Sequence, residues 1–348
     1  MKTAVVVGAL GVIGRYLVSH LLSTGEWRVI GLSRRAPDVE NEARYISVDL
    51  LDRADAEAKL SGLADVTHVF YCAFQPRPTW AEHSAPNLAM LVNSVETIAA
   101  ASAALEHVHL VEGNKIYGSH LGPFRTPAKE DDPPHMLPNF YYDQEQWLRG
   151  AQVGKDWSWS VTRPHTVCGY AVGNPMNLMM LLAVYASMSR ELGLPLRFPG
   201  TPGAYNAVYQ LTDSTLLAKA MTHCATHPGG RNNVFNVTNG DFFRWTNVWP
   251  RIADVFEMEW AAPQTIPLVE FMADKEPLWN AMVEKHGLLP HAYSDVANWG
   301  FGDYIFGTDW DVMTSTHKIR TVGFFEFDDT EEMILRQMRE FREARIVP

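Results

Sequence analysis

The residues best equipped for carbonyl chemistry are two adjacent tyrosines and one lysine. Tyr141 and Tyr142 lie in Asn139-Phe140-Tyr141-Tyr142-Asp143-Gln144-Glu145-Gln146, and Lys115 lies upstream in Val111-Glu112-Gly113-Asn114-Lys115-Ile116-Tyr117-Gly118. A phenol can donate to an oxygen that gains negative charge. A nearby ammonium eases that donation by favouring phenolate character. A tyrosine and a lysine four residues apart on one helix would share a face. Here the position four after Tyr141 is Glu145, and four after Tyr142 is Gln146. Either this machinery is dead or its lysine comes from elsewhere. Lys115, at the end of one strand, could deliver its charge beside a tyrosine that starts the next helix.

Such a pair needs a scaffold, and the first half of the chain reads as one. Ala4-Val5-Val6-Val7 is a short, fully apolar run, as expected of a buried parallel strand. It enters Gly8-Ala9-Leu10-Gly11-Val12-Ile13-Gly14, followed by a helical pattern of Ile13, Leu17 and Leu21. Strand, glycine turn and helix together are the context of a dinucleotide-binding fold. The glycines let backbone approach a pyrophosphate, and the helix N-terminus supplies amide donors. Gly8, Leu10, Gly11, Val12, Ile13 and Gly14 are therefore candidate cofactor contacts.

The second strand, Arg28–Leu32, ends in Ser33-Arg34-Arg35. Roughly 20 residues after the last motif glycine, an NAD-specific fold places a carboxylate for the ribose 2′-hydroxyl. That place holds Arg34. Guanidinium groups and a serine hydroxyl attract a 2′-phosphate, so NADPH is favoured over NADH.

Further strands alternate with helices: Tyr45–Val48 leading to Asp49 and Leu50, Val66–Tyr71 leading to Ala73 and Phe74, His107–Val111, and Trp157–Val161. A long apolar helix is expected over Asn87–Ala104, and Asp49 is placed to meet an adenine amino group. The alternation implies an α/β, Rossmann-type, doubly wound parallel sheet, with ligands beyond the carboxyl ends of its strands. Val234–Val237 reads as a strand that rejoins the sheet. The expected division is a cofactor-binding domain over 1–165, rejoined by about 209–239. A smaller, mostly helical, C-terminal substrate-binding domain takes 166–208 and 240–348. Its Met176, Leu178, Met179, Met180, Leu181 and Leu182 crowd a helix that is apolar on most sides. Such a helix suits an apolar ligand, an ordinary core, or packing against a second copy in a homodimer.

Composition narrows the rest. A net charge of −11 argues against nucleic-acid and anionic-membrane binding, which call for a basic stripe. Three cysteines, Cys72, Cys168 and Cys224, give no disulfide framework and fit a reducing cytoplasm. His165 lies three before Cys168, and His223 is next to Cys224, but neither has a second close pair, so no metal is expected. No signal peptide or membrane span is expected.

The strand followed by Arg163-Pro164 resembles extended short-chain dehydrogenases, in which that loop abuts the nicotinamide; the resemblance adds Pro164, Thr166 and Val167 as cofactor contacts. The Ile116-Tyr117-Gly118 signature of that class is intact, but its serine position holds Gly113. These departures resemble the progesterone 5β-reductase/iridoid synthase family, an atypical branch. The resemblance runs nearly end to end, through Lys115-Ile116-Tyr117-Gly118, Asn139-Phe140-Tyr141-Tyr142, Pro175-Met176-Asn177-Leu178, Lys275-Glu276-Pro277-Leu278-Trp279, Phe301-Gly302-Asp303 and Arg345-Ile346-Val347-Pro348. It implies that Lys115 and Tyr141 form the catalytic pair of an NADPH-dependent enone reductase acting by 1,4-addition. Tyr142 is the competing tyrosine. It further implies a small apolar carbonyl substrate, up to a Δ4-3-ketosteroid, in a pocket with Phe301 and with Phe74, where plant members often carry tryptophan. Met176 and Tyr142 complete that expected pocket. Two other readings stay open: a carbonyl reductase or alcohol dehydrogenase working by 1,2-reduction, and a non-catalytic NADPH-sensing protein. A sugar-nucleotide epimerase is disfavoured by Arg34 and the missing helical lysine.

Overall fold

The computed structural model describes residues 1–348. Its apolar β-branched runs assemble into one seven-stranded sheet. The strands are β1 (Lys2–Val7), β2 (Trp27–Ser33), β3 (Arg44–Ser47), β4 (His68–Tyr71), β5 (His107–Val111), β6 (Ser158–Pro164) and β7 (Asn233–Val237), in the order β7-β6-β5-β4-β1-β2-β3. Every pairing is parallel, including β7 against β6. Sequence order reverses between β1 and β4, which opens a crevice at the carboxyl ends of the strands.

Helices α1 (Gly14–Ser23), α2 (Arg53–Leu60), α3 (Trp80–Ala101) and α4 (Phe140–Gln152) are the crossovers among these strands. Both faces of the sheet are therefore covered, and polar residues buried on its central strands must find partners among themselves. His107 and His109 do so. Each imidazole bridges two hydroxyls of β6: His107 to Ser158 and Ser160, His109 to Ser160 and Thr162, all within 3.0 Å. The cross-strand bonds satisfy polar groups that would otherwise be costly in a core.

Helix α3 differs from the expected Asn87–Ala104. Thr79 and Glu82 form a capping box, so the helix starts seven residues earlier and carries Pro86 inside it. It ends at Ala101 because Ser102 turns out to donate its hydroxyl to the carbonyls of Ala64 and Val66.

Beyond β6 come α5 (Leu178–Glu191), α6 (Ser214–Thr226), α7 (Trp245–Val255), α8 (Glu276–His286), α9 (Trp299–Phe306) and α10 (Thr330–Glu343). α6 packs on α1 over the sheet. The others surround an aromatic core in which Phe198 meets Trp249 and Phe306 edge to face, with centroids 5.1 and 5.2 Å apart. Every residue of α5 from Leu178 to Ser189 is buried in this core, so its apolar girth serves the interior and leaves no face for a second copy. Phe243, Trp245 and Trp249 are core as well, whereas Phe242 is exposed.

Candidate active site

A cavity of about 510 Å³ runs along the carboxyl ends of β1, β2, β4, β5 and β6. Its first wall is backbone. Gly8 has φ +83°, and a Cβ there would stand 2.9 Å from the Ala73 backbone. Gly14 does not line the cavity; a Cβ on it would come within 2.3 Å of the Gly8 carbonyl, so its part is to let α1 pack against the turn. The start of α1 has no side-chain cap, unlike α2, α3, α4 and α5, which are capped by Asp52, Thr79, Asn139 and Asn177. Its amide donors are left for an anion. Leu10, Gly11, Val12 and Ile13 line the cavity beside it, followed by Ser33, Arg34 and Arg35 from the end of β2. Arg34 is exposed and takes part in no ion pair, while Arg35 donates to the Val172 carbonyl. Asp49, Leu50, Ala73, Pro164, Thr166 and Val167 complete this stretch. A close-packed glycine turn, an uncapped helix start and unpaired arginines fit a dinucleotide with a 2′-phosphate, which is NADPH.

The other end of the cavity is made of side chains. Lys115 stands on a single 3-10 turn, Asn114–Tyr117, just after β5. Burial pushes its ammonium down to about 8. Its Nζ has no carboxylate partner and lies 4.9 Å from the Tyr304 ring centroid and 5.4 Å from that of Trp80. Asn139 ties this turn to α4. Its Oδ1 accepts from the Tyr141 amide at 3.0 Å as the helix cap, and its Nδ2 donates to the Lys115 carbonyl, also at 3.0 Å.

The two tyrosines are spent differently. Tyr142 donates to the Ile116 carbonyl at 2.6 Å and accepts from the His135 amide at 3.0 Å. It is absent from the cavity wall, contrary to its expected place in the substrate pocket, because its hydroxyl holds the Lys115 turn from behind. Tyr141 lines the cavity, and its hydroxyl meets no protein partner. Burial, with smaller contributions from Glu112 and Tyr304, pushes its phenol well above the ordinary value. A Cβ on Gly113 would stand 3.1 Å from this hydroxyl. The serine position is glycine where the phenol occupies its space.

Glu145, in the vacated lysine position, turns away from the cavity. Its carboxylate bonds Arg163 at 2.6 Å and Arg149 at 2.6 Å. Arg163 also donates to Glu112 at 2.8 Å, to the Tyr117 hydroxyl and to the Glu130 carbonyl. Phe74, Met176 and Phe301 line the apolar part of the cavity, as expected.

The lining also includes residues that the sequence does not single out, among them Tyr304, His165, Glu112 and Gln144. Tyr304 follows Phe301 by one turn of α9, and that spacing alone was a usable signal. His165 is 4 % exposed, lines the cavity and has no partner for either ring nitrogen; it was read only for its spacing from Cys168. Glu112 and Gln144 look in sequence like any strand-end and helix-surface polar residue.

Residues 46–348 match the family described as PRISE-like Rossmann-fold domain. An (S)-8-oxocitronellyl enol synthase of Nepeta racemosa is 35% identical over 367 residues, covering 100% of this chain and 93% of that one. A 3-oxo-Delta(4,5)-steroid 5-beta-reductase of Arabidopsis thaliana is 32% identical over 366 residues, with the same coverage. Among solved structures, UDP-glucose 4-epimerase of Thermotoga maritima superposes with a TM-score of 0.71 over 99% of both chains at 16% identity, a likeness of fold alone.

Proposed function

Because the chain belongs to the PRISE-like Rossmann-fold family, we propose that it is an NADPH-dependent short-chain-type reductase of α,β-unsaturated carbonyls, with Tyr141 and Lys115 as its catalytic residues. The observation that carries this reading is the contrast between the tyrosines. Tyr142 gives both of its hydrogen bonds to backbone, while Tyr141 keeps a free hydroxyl in the same cavity as an unpaired lysine.

When bound, the reduced nicotinamide supplies a hydride to the β-carbon of the enone. The chain's own residues meet the charge that then develops on the carbonyl oxygen. The Tyr141 hydroxyl donates to that oxygen and stabilises the enolate. Lys115, held without a counter-ion, offsets the same negative charge. Its ammonium acts in a wall of Phe74, Phe140, Phe301 and Tyr304, where low polarity strengthens the interaction. Phe301 and Met176 hold an apolar substrate body and exclude water. Arg34 and Ser33 select the 2′-phosphate.

In this reading residues 1–165 and 209–239 are the cofactor unit, and 166–208 with 240–348 the substrate unit. Its partner is a small apolar carbonyl compound rather than nucleic acid or a membrane surface. No helix is long and apolar enough to cross a membrane. Three unpaired cysteines suit a reducing cytoplasm.

NADPH oxidation with a conjugated enone, followed by product identification, tests the assignment. A saturated ketone supports it. An allylic alcohol assigns 1,2-reduction instead, and no turnover with any enone or aldehyde leaves an NADPH-binding protein.

A further inference from the structure

The buried ion group behind Tyr141 has more carboxylates than its one buried guanidinium can neutralise. Arg163 donates through Nε to Glu112 Oε2 at 2.8 Å and through Nη2 to Glu145 Oε2 at 2.6 Å. Adjacent donors of a guanidinium commonly take both oxygens of one carboxylate. Here they take one oxygen from each of two, and because Nε and Nη2 lie on one edge of the guanidinium, the Glu112 and Glu145 oxygens they hold stand side by side. Two anions at that separation in a low-dielectric site repel strongly, and one proton between them converts repulsion into a hydrogen bond.

The surroundings say which carboxyl is the acid. Glu145 is bonded by two arginines, Arg163 and Arg149. Glu112 has only Arg163, its side chain is wholly enclosed, and its Oε1 has no partner. An orphaned carbonyl oxygen of a neutral acid costs far less than an orphaned carboxylate oxygen. The other ionisable groups facing the pair are Tyr117 from the turn after β5 and Tyr141 and Tyr142 from α4, with Glu130 of the connecting segment beside Arg163.

We propose that Glu112 and Glu145 share one proton in the wall behind Tyr141, with Glu112 as the neutral acid, so that no uncompensated negative charge opposes the oxyanion formed there. Glu112 is thereby a positioning residue, setting the charge felt by Tyr141 without touching substrate. The role rests on the reductase reading above; the shared proton itself does not. The direction of the Glu112 shift, up to about 8 by burial, agrees with it. Once the proton leaves, the group gains a negative charge, and Tyr141 becomes a poorer stabiliser of a second one.

Infrared spectroscopy of the full chain without substrate reads the proton directly. The expected result is a protonated-carboxyl C=O band at pH 7 that shifts in heavy water and fades as pH rises through 8. Glu112→Gln removes the band. Glu145→Gln also removes it, because one carboxyl facing one guanidinium needs no proton; this second variant serves if the first does not fold. A wild-type enzyme without the band at pH 7, or a band that survives both variants, overturns the proposal. With an enone, kcat of wild type falls more steeply above pH 8 than that of Glu112→Gln, by about tenfold at one unit of Tyr141 perturbation. Superimposable pH profiles overturn the positioning role. Absent turnover in wild type, with the band present, defeats the reductase reading and leaves the shared proton standing.

Discussion

The two ends of the cavity are built on different principles. The cofactor end is made of backbone: a glycine turn, an uncapped helix start and strand ends, contributed by segments that each read locally. The oxyanion end is made of side chains from separate places: Lys115 after β5, Tyr141 at the start of α4, and Phe301 and Tyr304 on α9. The first can bind a dinucleotide whatever the second does. The second has no chemistry without the first. Substitutions at the oxyanion end should therefore alter turnover while NADPH still binds, and those at the cofactor end should alter binding first.

The largest expected effect is at Tyr141. Tyr141→Phe should lower kcat for an enone by about 10²–10³, in the range of a lost general acid or oxyanion donor, with NADPH affinity by fluorescence titration nearly unchanged. Equal loss of NADPH binding would erase the distinction between the two ends. Lys115→Met should act in the same direction.

At the opposite end, Gly14→Val places side-chain atoms where a Cβ already meets the Gly8 carbonyl at 2.3 Å. Thermal unfolding and NADPH titration should show a loss of about 1–3 kcal/mol in stability together with weakened binding. Arg34→Asp puts an anion where a 2′-phosphate is expected. It should shift the NADPH-to-NADH preference in kcat/KM by about tenfold or more, roughly 1.4 kcal/mol, with little change in kcat. A change in kcat alone would place Arg34 outside the cofactor site.

Acidity sharpens the comparison further. The Lys115 ammonium is charged below its depressed value of about 8 and neutral above it. Oxyanion stabilisation is thus present on the acid side and is lost as pH rises through that point. A kcat profile should fall on its alkaline side, and Lys115→Met should flatten that limb. The smallest effect belongs to Tyr142→Phe, which removes bonds to the Ile116 carbonyl and the His135 amide. About 1 kcal/mol of stability should be lost by denaturant titration, with kcat reduced only a few-fold. A loss as large as at Tyr141 would reverse the roles of the two tyrosines.

The parts of the site that were legible share one property. Strand, turn and helix follow each other within some twenty residues in Ala4–Leu21, so periodicity and glycine spacing carry the structure. Arg34 was readable because its place is counted from that motif. Lys115 and Tyr141 were readable only as a question, since their meeting depends on Asn139, whose amide group bonds the Lys115 turn while its oxygen caps α4. The fate of Glu145 was not readable. It occupies a catalytic position in the helix yet faces Arg163, which arrives from β6. For the methionine-rich helix α5 the sequence admits core, ligand wall or second copy, because an apolar helix shows that it is buried, not what buries it; the structure makes it core.

The sequence by itself determined the alternation of strands and helices, the glycine turn, the place of Arg34 and the candidate residues for oxyanion chemistry, because each is read from residue types and spacings within a short stretch of chain. Tertiary structure decided which tyrosine keeps a free hydroxyl, why the serine position is Gly113, and that Glu112 and Glu145 confront each other over one guanidinium. Those outcomes turn on side chains from separate elements competing for the same few ångströms of buried, low-dielectric space. There, every hydrogen bond made by one group is withheld from another.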